Sequence, residues 1–278
     1  MMEEDVEEAK MPLIDHLVEL RQRLLYSVGG FLVCFIGAFY FAADIFNFLV
    51  QPLADLWQGE DSRRLIYTAL HEKFFTDVKV AFFTGAFVAF PLIANQVWMF
   101  VAPGLYKQEK RAFAPFLIAT PVLFFIGGAF VYYLILPVAW TFFAGFEQQG
   151  AEGTMAIALE PKVNEYLSLV MRLIFAFGIS FELPVVMTLL ARAGIASSEG
   201  MKKKRRYAIL IAFVAAAILT PPDPLSQIGL AIPIIFLYEI SINCAKLVER
   251  SKEKRVHAED DSKCVDPDES SETAEEGS

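Results

Sequence analysis

The sequence predicts an all-α protein that crosses a membrane six times, and two patterns support this prediction. Six long apolar blocks are separated by short polar connections, and hydrophobic residues make up 55% of the 278 positions. Nearly all Lys and Arg residues lie in every second connection. Because each backbone polar group inside a bilayer needs an internal partner, apolar spans of this length can only be helices.

The lengths of the blocks predict one unusual span. A helix needs about 20 residues to cross a hydrocarbon core of about 30 Å, and four blocks reach or nearly reach that length. The fifth block holds only about fourteen residues, or about 21 Å of helix, so a thinned bilayer or a shelf below one membrane surface is expected there. The six blocks lie at residues 25–43, 74–100, 114–141, 166–190, 207–220 and 228–245.

Prolines recur within these blocks and predict the shape of the bundle. A proline removes one backbone donor and tends to kink the helix that contains it. Repeated kinks favour a curved, concave bundle over a straight coiled one. The prolines concerned are Pro91, Pro115, Pro121, Pro137, Pro184 and Pro233.

The distribution of basic residues predicts the orientation of the spans. The N-terminal arm, the second and fourth connections and the C-terminal tail together hold 18 of the 24 Lys and Arg residues. Short segments rich in Lys and Arg stay on the cytoplasmic side, so both termini are expected inside the cell. The six remaining bases fall in the opposite connections or within spans: Arg63, Arg64, Lys73, Lys79, Lys162 and Arg172.

Three regions are expected along the chain: an acidic disordered tail at residues 1–10, a membrane domain at 11–250 and an acidic disordered cytoplasmic tail at 251–278. Residues 1–10 contain five acids and one base, and residues 256–278 contain nine acids and one base. The net charge of −9 therefore comes from the tails. Segments so acidic and so poor in apolar residues cannot bury a core. The acidic start also lacks the apolar region of a removable signal peptide.

Candidate catalytic and metal-binding groups are scarce, so no enzymatic activity, cofactor, metal site or nucleic-acid partner is expected. His71-Glu72 begins like the helix of a zinc protease, but Phe75 stands where the second histidine is needed. The three cysteines have neither disulfide nor metal spacing, and no Gly-rich phosphate loop is present. An intramembrane enzyme is the least favoured alternative.

Glu182 is the most informative ionisable residue within a span. A charge near the bilayer centre costs at least about 2.5 kcal/mol, so such residues usually face a bundle interior or a wet cavity. Pro184 follows two positions later and tends to kink the helix. A polar-cavity or binding role for Glu182 is favoured over a carboxyl that is satisfied internally. Lys79 and Arg172 fit simpler interfacial roles, in which a long side chain reaches the membrane surface.

Two cytoplasmic segments contain further charged motifs. Residues 16–24 read as the amphipathic start of a helix in which Glu19 and Arg23 are spaced to pair, although an interfacial anchor would look similar. Residues 96–111 place an aromatic cluster and Glu109 at the cytoplasmic surface. Taken alone, Glu109 is better explained as an ordinary surface acid paired with one of the basic residues after it.

In these motifs the chain resembles the TatC family, the multispanning receptor subunits of the twin-arginine protein translocase. The resemblance covers about residues 11–250. The motifs occur in the same order and topology: residues 16–24, Gln51-Pro52-Leu53, residues 98–111, Phe181-Glu182-Leu183-Pro184, residues 219–223 and Ser226-Gln227. This combination is far more specific than a count of six spans. Arg172 and His71-Glu72 depart from the family pattern, and their roles stay open.

The resemblance implies a receptor that binds signal peptides with paired arginines and helps to move folded proteins across a membrane, driven by the proton gradient. A carboxylate can accept a guanidinium through two hydrogen bonds, so acids at the cytoplasmic face suit this ligand. Glu19 and Glu109 would accept the peptide arginines, whereas Arg21 and Arg111 would position the acids and the loop. Phe100 also matches a family position in this site.

The resemblance further implies partner subunits and a location. Single-span subunits of the TatA and TatB type are expected to dock on the chain, together with self-association, in the cytoplasmic (inner) membrane of a bacterium. Pro52 and Asp223 match positions that shape caps and turns on the outer side. The residues expected at the partner contacts are Glu182, Tyr207, Leu210 and Phe213.

Two other hypotheses remain open. A secondary transporter for a small solute would contain an internal repeat with paired broken spans, but the first three spans do not resemble the last three in length or motif. A structural scaffold that organises other membrane proteins would not need the charges of Glu19 and Glu109 for export.

Overall fold

Helices make up nearly all of the computed structural model, which describes residues 2–57, 64–105, 110–148, 155, 159–219 and 224–263. The surroundings of side chains are described for residues 14–57, 64–100, 115–148, 155, 159–219 and 227–250. Within these ranges the β contacts are limited to one isolated bridge between Ile66 and Lys162. The all-α fold class predicted from the sequence is confirmed.

Ten α-helices and one short π-helical segment follow one another along the described residues. They are α1 (Met2–Tyr40), α2 (Ala42–Leu56), α3 (Glu72–Leu105), α4 (Lys110–Phe130), the π-helical segment Val131–Ile135, α5 (Leu136–Ala144), α6 (Val163–Phe181), α7 (Leu183–Arg192), α8 (Ser198–Lys203), α9 (Arg205–Leu219) and α10 (Pro224–Lys263).

Five helical stretches in the described part of the chain are long and apolar enough to cross a membrane. They match five of the six predicted blocks. The remaining block corresponds to α9, which has 15 residues and is as short as the sequence predicts. The five stretches are Ile14–Tyr40, Glu72–Phe100, Pro115–Ala144, Val163–Arg192 and Gln227–Arg250.

Helix extends into both acidic tails, where the composition predicts disorder. α1 begins at Met2 and α10 continues to Lys263. Glu, Lys and Ala are good helix formers, and each tail segment continues a long helix, so no new nucleation step is needed. These two effects explain why the helices reach beyond the apolar blocks.

Prolines interrupt the helices at two places. Pro137 follows the π-helical segment Val131–Ile135, and Pro184 follows the junction at Glu182, where α6 ends and α7 begins. Each interruption accommodates a backbone carbonyl that the proline cannot satisfy. The helix continues without interruption through Pro52, Pro115, Pro121 and Pro233.

The core forms around α6, which packs against α3 and α4, while α1 packs on α3 and α10 packs on α7. Trp140, Tyr166 and Phe177 are among its buried residues. A Cβ atom added at Gly127 of α4 would lie 2.7 Å from the carbonyl oxygen of Phe177. The absence of a side chain at Gly127 therefore permits the close approach of α4 and α6, as is common between membrane helices.

The bundle has two distinct ends. At the cap end, Ile66 exchanges two backbone hydrogen bonds of 3.3 and 3.2 Å with residues 161 and 163. The Tyr166 hydroxyl donates to the carbonyl of Leu49 in α2 at 3.0 Å, which ties α2 to the same end. The arm end contains residues 14–24 of α1 and the short helix α8.

Candidate functional site

Glu19 lies at the arm end, and its carboxylate is held by an arginine one turn later in α1. The Arg23 guanidinium donates to Glu19 Oε1 from Nε at 2.9 Å and from Nη2 at 2.5 Å. The relative exposure is 35% for the Glu19 side chain and 21% for that of Arg23. The predicted pair is confirmed, and the carboxylate remains accessible from outside the bundle.

Residues of α3 complete the surroundings of Glu19. The His16 ring stacks on Phe100 with ring centroids 4.2 Å apart, and His16 Nδ1 lies 3.8 Å from Glu19 Oε2. Arg23 Nη1 also donates to Gln96 Oε1 at 3.5 Å. These contacts bring together two predicted site residues, Glu19 and Phe100. We call His16, Glu19, Arg23, Gln96 and Phe100 the arm site.

Three other predicted residues of the signal-peptide site lie outside these contacts. Arg21 is exposed and forms no ion pair within the described part of the chain. It lies two positions after Glu19, and residues with this spacing do not share a helix face. Glu109 lies outside the described residues, and the side chain of Arg111 in α4 is not described. The roles assigned to these three residues stay predictions.

Glu182 lies at the junction of α6 and α7 and is buried, with 7% relative exposure. Its backbone carbonyl accepts from the Val186 N–H at 2.9 Å, which links the two helices. Neither carboxylate oxygen has a hydrogen-bond partner of normal geometry among the described residues, and the Thr120 hydroxyl is the polar group beside it. A buried carboxylate in this state is costly, so it is suited to receive a polar group from outside the chain.

Thr120 also connects Glu182 towards the arm end. The indole Nε1 of Trp98 donates to Thr120 Oγ1 at 3.0 Å. Thr120 is buried in α4, with 2% relative exposure. Trp98 precedes Phe100 of the arm site by two positions in α3. The hydrogen bond to Trp98 therefore links the surroundings of the buried carboxyl to α3, the helix that also contains Phe100.

α9 has an apolar face that the described part of the chain leaves uncovered. Tyr207 and Leu210 have relative exposures of 52% and 60%, whereas Phe213 is half-buried. Ala212 and Ala216, one turn apart, are buried against the bundle. The predicted partner-contact residues Tyr207 and Leu210 are therefore available to a lipid or to another helix.

Two positions are expected to have structural roles. Pro52 is buried within α2, next to Leu53. The Gln51 side-chain amide donates to Asp55 across this turn at 2.7 Å. Asp223 lies outside the described residues, so its role stays a prediction.

Two polar contacts between helices are not predicted by the sequence analysis. Lys79 Nζ of α3 donates to Asn164 Oδ1 at 2.6 Å and to Ser168 Oγ at 3.1 Å, both in α6. Lys79 thus ties two helices together, which the expected interfacial role does not include. Arg205 of α9 donates to Glu239 of α10 at 2.6 Å. Glu239 lies within the last apolar block, so the cost of a charge inside a span could have identified it.

These features define a class of protein. In the described part of the chain, five apolar helical stretches are long enough to cross a membrane, one of them contains a buried carboxyl, and an accessible paired carboxylate lies at one end. The described residues include no group of three or more potential metal ligands. The molecule is a multi-pass helical membrane protein.

Comparison with known proteins gives the family. The sequence matches the family model of the Sec-independent protein translocase protein (TatC) over residues 15–233. It is 50% identical over 256 residues to the Sec-independent protein translocase protein TatC of Magnetococcus marinus, covering 92% of this chain and 91% of that protein. It is 42% identical over 235 residues to the protein of that name from Escherichia coli, and the match covers 84% of this chain and 88% of that protein.

A solved structure agrees with the sequence comparison. A crystal structure of the twin-arginine translocase receptor TatC aligns with a TM-score of 0.73 and 39% identity, covering 84% of this chain and 99% of that one. The chain belongs to the TatC family. Its resemblance to that family is confirmed, and it is a translocase component and not an enzyme.

Proposed function

We propose that this chain is the receptor subunit of a twin-arginine translocase. It binds signal peptides with paired arginines and, with TatA- and TatB-type partners, exports folded proteins across the inner membrane of a bacterium. Family membership supports the proposal, and the arm site is the observation that carries it, because an accessible carboxylate there already binds a guanidinium. The proton gradient supplies the energy, since the sequence contains no nucleotide-binding loop.

The proposed arrangement has six membrane helices with both termini in the cytoplasm. Five are the candidate spans, and α9 is the sixth. The basic residues 202–206 at the arm end support this orientation, since positive segments stay inside. The cap end then faces the outside of the membrane. With 15 residues, α9 is about 22 Å long, which requires a thinner bilayer beside it.

The chemistry of Glu19 suits recognition of an arginine. An ionised carboxylate has about four lone-pair positions for hydrogen bonds. Arg23 binds Oε1, so Oε2 remains available to a second guanidinium on the side of His16. The stacked rings of His16 and Phe100 offer an aromatic surface beside this position. In the proposal, Glu109 on the following loop binds the second arginine of the signal.

Glu182 and the exposed face of α9 are the proposed contacts with single-span partners. A polar group on a partner helix could donate to the unpartnered Glu182 carboxyl and remove the cost of its burial. Tyr207 and Leu210 offer exposed apolar surface, and Phe213 lies on the same helix. Self-association of the chain would bring several such sites together in one complex.

Export of a folded reporter with a twin-arginine signal tests the proposal. The cells lack their own receptor subunit and contain the cognate partner subunits. Glu19→Ala and Glu109→Ala should each reduce export by about tenfold or more, as expected when a charge-assisted contact is lost. Glu199→Ala is the matched control, because Glu199 is an exposed acid in α8 at the same end.

The outcomes separate the proposal from its rivals. Every variant must be present in the membrane at the level of the parent. Normal export by the Glu19 and Glu109 variants would refute recognition by these carboxylates and favour a scaffold. Failure of the parent with all partners present would favour a transporter of another kind.

A further inference from the structure

A cavity of about 620 Å³ opens at the cap end between α5, α6 and the end of α9. Its apolar wall includes Phe143, Leu169 and Leu219. None of the residues assigned to signal-peptide or partner binding lines it. Four charged residues do line it: Glu160, Lys162, Glu165 and Arg172. A cavity with both apolar and charged walls is suited to an amphipathic ligand.

Arg172 is the charge in this cavity that the fold leaves unexplained. It lies nine positions after Val163, or about 13 Å along α6. Because helical side chains lean towards the helix N-terminus, the guanidinium reaches back towards the cap end. Arg172 forms no ion pair or hydrogen bond with the described residues. A guanidinium at this depth in a membrane needs an acceptor, and an anion is the strongest one.

Trp140 provides a second donor on the same wall. Its side chain is buried, with 6% relative exposure, and Nε1 forms no hydrogen bond of normal geometry with the described residues, although the Tyr166 hydroxyl lies beside it. Buried indole N–H groups usually have a partner. A ligand oxygen in the cavity would therefore satisfy both Trp140 and Arg172.

The charges in the cavity follow a definite order along α6. Glu165 lies seven positions before Arg172, which puts it on the same helix face and about 10 Å nearer the cap end. Glu160 lies just before the helix, and Lys162 Nζ is 3.7 Å from Glu165 Oε1. Arg172 thus lies deeper, and two acids with one base, which together carry a net negative charge, lie nearer the membrane surface. A phosphoethanolamine headgroup has the complementary order, with phosphate inward and ammonium outward.

The short helix α9 explains how a headgroup reaches this depth. Its last residues, Ile218 and Leu219, line the cavity. Because α9 is only about 22 Å long, the bilayer beside it must thin or the headgroups must sink. Lipid phosphates on the cap side would then lie near the level of the Arg172 guanidinium.

We propose that this cavity binds one phosphoethanolamine phospholipid. Its phosphate binds Arg172 and Trp140, its ammonium binds Glu160 and Glu165, and an acyl chain lies against the apolar wall. The proposal rests on the membrane arrangement described above and is independent of signal recognition.

Lipid binding to the full-length chain tests this proposal. The purified chain in detergent is titrated with three lipids, and bound lipid is measured by native mass spectrometry. Phosphatidylethanolamine has both a phosphate and an ammonium, phosphatidylglycerol has no ammonium, and diacylglycerol has neither charge. Arg172→Gln should weaken phosphatidylethanolamine binding about tenfold, as for a lost charge-assisted contact. Arg172→Lys should restore part of it, because an ammonium binds phosphate as a point charge.

Two further variants separate the contacts. Glu165→Gln should weaken phosphatidylethanolamine binding and leave phosphatidylglycerol binding unchanged. Arg250→Gln is the matched control, since Arg250 is an exposed base at the other end of the bundle, and it should change neither. Helix content by circular dichroism verifies that each variant is folded.

Equal binding of phosphatidylethanolamine by the parent and Arg172→Gln would overturn the proposal, as would equal binding of diacylglycerol by the parent. A separate cross-linking experiment in membranes gives a further outcome. If the chain shows no lipid preference and position 172 cross-links to a single-span partner, the proposal is also overturned, and Arg172 is assigned to an acid of that partner. Because no signal peptide or partner takes part in the titration, its outcome is separate from that of the export assay.

Discussion

Glu19 and Glu182 are both carboxylates of one membrane protein, but their surroundings are opposite. Glu19 accepts two hydrogen bonds from Arg23 and is 35% exposed. Glu182 is 7% exposed and has no hydrogen-bond partner of normal geometry among the described residues. An accessible carboxylate with one oxygen paired can accept a second guanidinium on its other oxygen at little cost. A buried, unpaired one raises the free energy of the folded chain until a partner arrives.

The same contrast separates two basic residues within the spans. Lys79 donates to Asn164 and Ser168 and joins α3 to α6. Arg172 forms no such contact with the described residues. Both are basic residues within candidate spans, so that property alone does not distinguish the two roles. The contacts do, because the unsatisfied charge is the one for which an external ligand is proposed.

Replacing Glu182 should have the largest effect of the variants considered. It should reduce export while leaving stability unchanged or increasing it. Glu182→Leu should leave the free energy of unfolding unchanged or raise it by up to about 2 kcal/mol, since a buried polar group without a well-formed hydrogen bond is removed. Export of the folded reporter should fall about tenfold or more if a partner contacts this carboxyl. Thermal unfolding in detergent and the export assay measure the two quantities.

Glu239→Leu is the control for the stability change expected of Glu182→Leu. Glu239 also lies within a candidate span, but Arg205 donates to it at 2.6 Å. Its removal leaves Arg205 without this partner, so stability should fall, by less than about 1 kcal/mol for an exposed pair. A clear loss of stability in Glu182→Leu would show that Glu182 has a stabilising partner within the chain, and the contrast with Glu19 would be wrong.

Trp98→Phe tests whether the hydrogen bond between Trp98 and Thr120, beside Glu182, contributes to stability. Loss of the hydrogen bond to Thr120 should lower the free energy of unfolding by about 1 kcal/mol, because a buried hydroxyl loses its donor. Thr120→Val removes the other partner. The double variant should cost less than the sum of the two single ones, since both break one contact. Additive losses would show that this contact contributes nothing to stability.

The helices and the family could be predicted because both depend on contiguous sequence. Apolar length gives each span, and long motifs such as residues 16–24 identify the family without any knowledge of contacts. The short α9 was predicted in the same way, from the distance between the basic residues 202–206 and the turn after residue 219. The helical extensions into the tails were not, because an acidic composition is equally typical of disorder and of exposed helix.

Contacts between helices could not be predicted from hydropathy. The partners of Lys79 lie at positions 164 and 168, and the ring that stacks on His16 is that of Phe100. Such pairs depend on how each helix is rotated about its own axis. In a membrane, lipid-facing and core-facing positions are both apolar, so the periodicity that reveals this rotation in soluble proteins is weak.

Arg23→Gln should have the smallest effect on stability, and it tests the pair that Arg23 forms with Glu19 most directly. Both side chains of the pair are partly exposed, so the free energy of unfolding should change by less than about 1 kcal/mol. That change should diminish at high ionic strength, because salt screens exposed charges. Unfolding of the parent and the variant at two salt concentrations measures both effects. A larger, salt-independent loss would mean that Arg23 mainly holds α1 on α3 through Gln96. The pair with Glu19 would then not be the weak, exposed contact that this comparison with Glu182 assumes.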